Sequence, residues 1–201
     1  MTQLVDWASA TRPLAGVQES GDACLVRARR GSALIAVVDG LGHGPDAAAA
    51  ARRAVKLLEE GEGKDPAATL QRCHESMRST RGVVASLARF DGERDTMTWA
   101  GVGNVGGVVL RSMMGLSRVQ EVMRTGSGVV GRQLPAIQSE TLPIAPGDTL
   151  VFATDGIRPQ FARDLEHPLV LQEAADRILG AFGRDDDDAL VVVARYRGMA
   201  S

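Results

Sequence analysis

Three strand-length segments of this chain are apolar almost without a break: residues 34–38 (LIAVV), 149–153 (TLVFA) and 189–194 (ALVVVA). A strand with one wet face alternates apolar and polar residues, so a run with no alternation must be covered on both faces. The segments around these runs read as hairpins rather than as strand–helix–strand repeats. Residues 23–30 pair with 33–38 through a turn at Arg30-Gly31-Ser32. Residues 83–90, 96–102 and 105–111 read as an antiparallel meander with turns at Asp91-Gly92 and Gly103-Asn104, and residues 118–124 read as a further strand. Doubly covered strands in antiparallel order require two stacked sheets with helices outside them.

The helices are punctuated clearly. Pro45 and Asp46 open one that should run to Glu60 and leave at Gly61. Asp65 caps a second that begins at Pro66, carries Leu70, Cys73 and Met77 on one face and stops before Gly82. Leu171, Ala175, Ile178 and Phe182 mark a third that ends at Gly183. The expected fold is therefore α+β, a four-layer α/β/β/α sandwich with two antiparallel sheets flanked by helices. With 201 residues, 44% of them apolar, it is expected to be one domain spanning 1–201.

Composition narrows the partners. A net charge of −2 gives no basic face for nucleic acid or for an anionic membrane, and no apolar run reaches the length of a membrane span. The start, MTQLVDWASATRP, lacks the basic and apolar regions of a secretory leader, so a cytoplasmic protein is expected. Cys24 and Cys73 sit in apolar patterns and read as free thiols, and no Cys/His cluster has zinc spacing.

The carboxylates fall at the ends of the apolar strands. Residues 34–38 run into Asp39-Gly40, and 149–153 run through Thr154 into Asp155-Gly156. The last strand follows Asp185-Asp186-Asp187-Asp188. Asp22 opens the strand that pairs with the one ending in Asp39. One Asp-Gly after a strand is only a turn signal. Two after buried strands, with an aspartate run before a third, put several carboxylates at one rim, where they must either change pKa or hold a cation. All-oxygen donors favour Mg²⁺ or Mn²⁺ over zinc.

The order SGDA around Asp22, DGLGHG from Asp39, TRGVVASLARFD from Thr80, TWAGVGNV ending at Val105, PGDTLVFATDGI from Pro146 and DDALVVVARY from Asp187 spans nearly the whole chain. It resembles the metal-dependent protein phosphatases of the type 2C superfamily. Within them it is most similar to the bacterial sporulation stage II E-like branch and to the feedback phosphatases of the sigma-B stressosome pathway. The resemblance implies two or three Mn²⁺ or Mg²⁺ ions. Asp39 would bridge two of them, the Gly40 carbonyl would complete one coordination sphere, Asp155 and Asp187 would ligate the other ion, and Asp22 would act through water or a further ion. Asp185 and Asp186 would be solvated turn charges. It implies a two-metal-activated water attacking phosphoserine or phosphothreonine on proteins of a stressosome-like complex. With no sensor domain fused to the chain, control is expected from expression, partners or substrate access.

Other residues have two readings each. His43, four residues after Asp39, could be a general acid for the leaving oxygen or a loop residue. His74 reads as packing, and His167 carries no signal in a polar loop. Arg12 and Arg81 could contact phosphate or simply be solvated. The stretch 101–106 fits GxGxxG, but a strand rather than a helix follows, so it reads as a turn. The loop Thr125–Gly131 could shape a substrate entrance or merely connect strands. Two rival functions remain: a degenerate fold that only binds phosphoproteins, which the complete aspartate set disfavours, and a hydrolase of small phosphoesters.

Overall fold

The computed structural model describes residues 3–61, 65–112, 120–163, 165 and 170–199. The elements run β1 (Val5–Arg12), β2 (Asp22–Arg29), β3 (Ser32–Gly40), α1 (Pro45–Glu60), α2 (Pro66–Ser76), β4 (Val83–Asp91) and β5 (Thr96–Val102). They continue with β6 (Gly106–Leu110), β7 (Gln120–Met123), β8 (Glu140–Pro143), β9 (Thr149–Ala153), α3 (Leu171–Phe182) and β10 (Ala189–Tyr196). One antiparallel sheet has the order β1-β10-β9-β6-β7 and the other β2-β3-β4-β5-β8.

The unbroken apolar strands are explained residue by residue. In β3, Ile35 and Val37 face the core between the sheets, while Ala36 and Val38 face α1 and α2. In β10, Leu190, Val192 and Ala194 face the same inter-sheet core, while Val191 and Val193 face α3. β9 does likewise with Leu150 and Phe152 inward and Val151 and Ala153 outward. Each of these strands thus buries both faces, and the layers are helix, sheet, sheet, helix, as expected. The helix punctuation also holds: Pro45 and Pro66 open their helices, and the Asp65 side chain accepts from Ala68 N. Cys24 and Cys73 are free thiols.

The meander is a correction. β4 and β5 pair, but β6 does not continue their sheet. It pairs with β9 and β7 in the other one. The Gly103-Asn104 turn is a crossing between the layers, not a hairpin. β1 and β8 were not anticipated. β1 (VDWASATR) is an edge strand with mixed polarity, and β8 has only four residues and ends in a proline, as edge strands tolerate. The first two residues of the expected strand 118–124, and His167, lie outside the described residues. Among the described residues no helix is long and apolar enough to cross a membrane.

Candidate metal centre

Each sheet delivers two aspartates to the same rim. In the first, the β2–β3 register sets Asp22 directly across from Asp39. Gly40 follows, packed so tightly under the first turn of α1 that a Cβ there would lie 2.3 Å from the Ala47 carbonyl oxygen. In the second sheet, β9 ends beside the start of β10, with Val191 across from Ala153. The chain leaves β9 through Thr154, whose amide donates to the Leu190 carbonyl, and reaches Asp155 and Gly156. Gly156 is closer still to its neighbour: a Cβ would stand 1.9 Å from the Asp188 carbonyl oxygen. A buried hydroxyl helps to join the sheets here. Thr154 Oγ1 donates to Asp22 Oδ2 at 2.7 Å and accepts from Leu190 N at 2.9 Å. The two halves therefore meet because the sheets stack face to face, not because their strands are neighbours.

The electrostatics are one-sided. Burial first, then the charges of Asp22, Asp155, Asp187 and Asp188, push the Asp39 carboxyl up to about 8. Burial pushes Asp22 up to about 7, opposed by the Thr154 hydrogen bond and reinforced by Asp188, Asp155 and Asp187. Asp187 is also raised, by burial and then by Asp155. Among the described residues, the charges that shift Asp39 are those of carboxylates. Below about pH 8 the Asp39 carboxyl stays largely protonated unless a positive partner joins it. Among the described residues, no three His, Cys, Asp or Glu side chains close on a single point. Hard cations such as Mg²⁺ keep several waters and take one or two carboxylates each, so oxygen donors spread around a shared space suit them.

Asp188 is not one of the facing carboxylates in its hydrogen bonding. It is 3% exposed and accepts from Leu14 N at 2.8 Å and Gly21 N at 2.9 Å, tying the β1–β2 loop to the start of β10. Asp187 is half-buried, and its strongest charge partner is Asp155.

The family model for stage II sporulation protein E (SpoIIE) matches residues 29–197. The chain belongs to the SpoIIE family. It is 26% identical over 169 residues to the phosphoserine phosphatase RsbX of Bacillus subtilis (strain 168), covering 83% of each chain. A solved chain from work on the bacterial stressosome as a modular system adapted to secondary-messenger control is 31% identical. That match has a TM-score of 0.85 and covers 95% of this chain and 99% of the other. RsbX solved in complex with magnesium superposes with a TM-score of 0.83 at 22% identity, over 96% of this chain and 95% of that one.

Within this SpoIIE-family fold the remaining residues find their places. His43 is exposed in the β3–α1 loop and lines a groove of about 740 Å³ with Glu19, Asp46 and Arg81, a groove that none of the four rim aspartates lines. Arg81 pairs with Asp46 at 3.0 Å, across the entrance to α1. Arg12 is occupied by the chain itself, donating to the Arg184 carbonyl at 2.5 Å and pairing with Asp185 at 3.3 Å. His74 is 6% exposed, and its Nδ1 accepts from Gly131 N at 3.0 Å, a packing role. Two residues of the site were not singled out from sequence: Thr154 and Asn104, whose amide donates to Asp155 Oδ2 at 2.5 Å. Thr154 is flagged only by its place before Asp-Gly. Asn104 looked like ordinary turn chemistry.

Proposed function

We propose that residues 1–201 act as one phosphatase domain that removes phosphate from serine or threonine of a partner protein in a stressosome-type complex, using Mn²⁺ or Mg²⁺. The observation that supports this reading above others is the rim where Asp22 and Asp39 of one sheet meet Asp155 and Asp187 of the other, with carboxylate charges shifting Asp39. The likeness to a phosphoserine phosphatase and to a stressosome chain supports the substrate class.

Asp39 is proposed as the bridging ligand, with the Gly40 carbonyl beside it, Asp155 and Asp187 as ligands from the second sheet, and Asp22 as an outer or additional ligand. When bound, two ions supply an activated water and neutralise the oxygens of an in-line displacement. The chain's own part is to hold the donors in place. Thr154 steadies Asp22, and the Gly40 and Gly156 contacts lock the two strand ends to α1 and β10. The groove beside the rim offers room for the protein segment that bears the phosphate. His43 lines it and is proposed to give its proton to the departing serine oxygen.

The test is phosphate release from phosphorylated stressosome-type proteins with Mn²⁺, with Mg²⁺ and with chelator, alongside a small chromogenic phosphate ester. Release that needs the cation and favours the phosphoprotein supports the reading. Release that survives chelation, or far higher efficiency on the small ester, removes it.

A further inference from the structure

The crossing between the sheets is built more firmly than a connector needs. Between Val102 of β5 and Gly106 of β6 the chain passes from one layer to the other in three residues. Gly103 adopts φ +89°, and a Cβ there would lie 2.2 Å from Val84 Cγ1, so a side chain would both strain the backbone and displace Val84. Gly103 N donates to the Gly126 carbonyl at 2.8 Å, and Gly126 N donates to the Gly101 carbonyl at 2.9 Å. Thr125 Oγ1 donates to the Gly103 carbonyl at 2.5 Å, and Ser86 Oγ donates to the Val105 carbonyl at 2.7 Å. This accounts for the GxGxxG-like run and gives the Gly-rich loop a task. Thr125 and Gly126 brace the crossing, and the far end of the loop is held by His74 through Gly131.

One side chain leaves this braced turn toward the rim. Asn104 Nδ2 donates to Asp155 Oδ2 at 2.5 Å. An ionised carboxylate can only accept, so the amide nitrogen, not its oxygen, must face it. The donor is neutral. It orients Asp155 without placing a positive charge where a cation would bind, which an Arg or Lys there would do. It also engages one carboxylate oxygen and leaves the other to a ligand.

We propose that Asn104 is a positioning residue that sets the orientation of Asp155 for cation binding, and that Thr125 acts through it by fixing the turn. The proposal rests on the metal-dependent reading above. Hydrogen-bond partners of metal ligands typically change affinity 10–100-fold when lost.

The experiment is calorimetric titration of Mn²⁺ into the full chain and into Asn104→Ala, Thr125→Val and Thr125→Ser, with thermal unfolding of each in chelator. Asn104→Ala is expected to weaken Mn²⁺ binding about 10-fold. Asn104 is exposed, so its unfolding temperature in chelator should move by no more than about 2 °C. Thr125→Val should weaken binding in the same direction by less, and Thr125→Ser, which keeps the hydroxyl, should restore it. Unchanged affinity in Asn104→Ala, with the wild-type chain binding Mn²⁺, overturns this proposal alone. So does a loss of affinity in Asn104→Ala matched by a loss of unfolding temperature, or a Thr125→Ser variant no better than Thr125→Val. A wild-type chain that binds no Mn²⁺ overturns both this proposal and the metal-dependent reading.

Discussion

The two halves of the rim are made alike and tuned differently. Each has an Asp-Gly at the end of a doubly buried strand, an aspartate at the start of the neighbouring strand, and a glycine pressed against backbone. In the β2–β3 half, both carboxylates are raised, to about 7 and about 8, because burial and like charges act on them together. In the β9–β10 half, Asp187 is raised too, by burial and then by Asp155. There, however, each carboxylate has an amide donor, Asn104 for Asp155 and the Asp188 amide for Asp187 at 2.9 Å, whereas in the other half the donor is the Thr154 hydroxyl on Asp22. The β2–β3 half carries the larger shifts, which a bound cation would relieve. The β9–β10 half would be the better oriented before a cation arrives. A site whose ligands were all of the first kind would resist folding, and one whose ligands were all of the second would gain less from binding.

The largest effects should come from deleting either half. Asp39→Ala and Asp155→Ala are each expected to reduce cation-dependent phosphate release to background. Full activity in either folded variant would remove the metal site as drawn. The halves should then separate in the chelated protein. Asp39→Asn should raise the unfolding temperature at pH 8, since it deletes a carboxylate pushed up to about 8 by burial and neighbouring charge. Asp155→Asn should give a smaller gain, because its carboxylate already has an amide donor. Equal gains would erase the distinction between the halves. His43, on the β3 side, is expected to matter by leaving group. His43→Gln should slow release from a phosphoserine protein about 10²-fold, as for loss of a general acid, and leave a chromogenic ester with a good leaving group unchanged. Equal losses on both substrates, or none, would take the acid role away.

Much of this architecture is legible in the residues, and the reason is local in each case. The apolar runs 34–38, 149–153 and 189–194 announce burial on both faces. Pro45, Gly61, Asp65 and Pro66 mark helix ends through backbone chemistry that acts within one turn. The Asp22–Asp39 pairing follows from a short hairpin. What stayed hidden depends on distant packing. A Gly-Asn turn looks the same whether the next strand joins its own sheet or crosses to another, so β6 was misplaced and Asn104 passed unnoticed. Asp187 and Asp188 are alike in residue type; the resemblance favours Asp187, and the β1–β2 loop closing over β10 shows what Asp188 does instead. β1 failed because an edge strand covered by α3 on one side shows no clean period.

Steric tests come next in size. Alanine at Gly156 must move the Asp188 carbonyl, and alanine at Gly40 must move the first turn of α1, from starting separations of 1.9 and 2.3 Å. Each is expected to cost about 1–3 kcal/mol of stability, as overpacking does, with Gly156→Ala the more severe. Thermal unfolding in chelator measures this without involving the cation. A neutral Gly156→Ala would mean that the β9–β10 half yields easily, contrary to its role as the pre-aimed side.

The smallest effect is also the most diagnostic of the stored repulsion. An unfolded aspartate titrates near ~3.9, whereas Asp39 and Asp22 in the folded chain are raised to about 8 and about 7. Between those limits the folded, metal-free protein binds more protons than the unfolded one, so its stability falls as pH rises from about 4 toward about 8. A bound cation takes the place of those protons and removes most of that slope. The rise in unfolding temperature on adding saturating Mn²⁺ should therefore be larger at pH 8 than at pH 5.5, by a few degrees. The chelated baseline should account for part of that difference. Asp39→Asn should flatten the baseline only in part, leaving the share that Asp22 contributes, while Asp155→Asn should leave most of it in place. A flat baseline in the wild-type chain would mean that the β2–β3 carboxylates are not in conflict before metal binds, and the contrast between the two halves would fail at its origin.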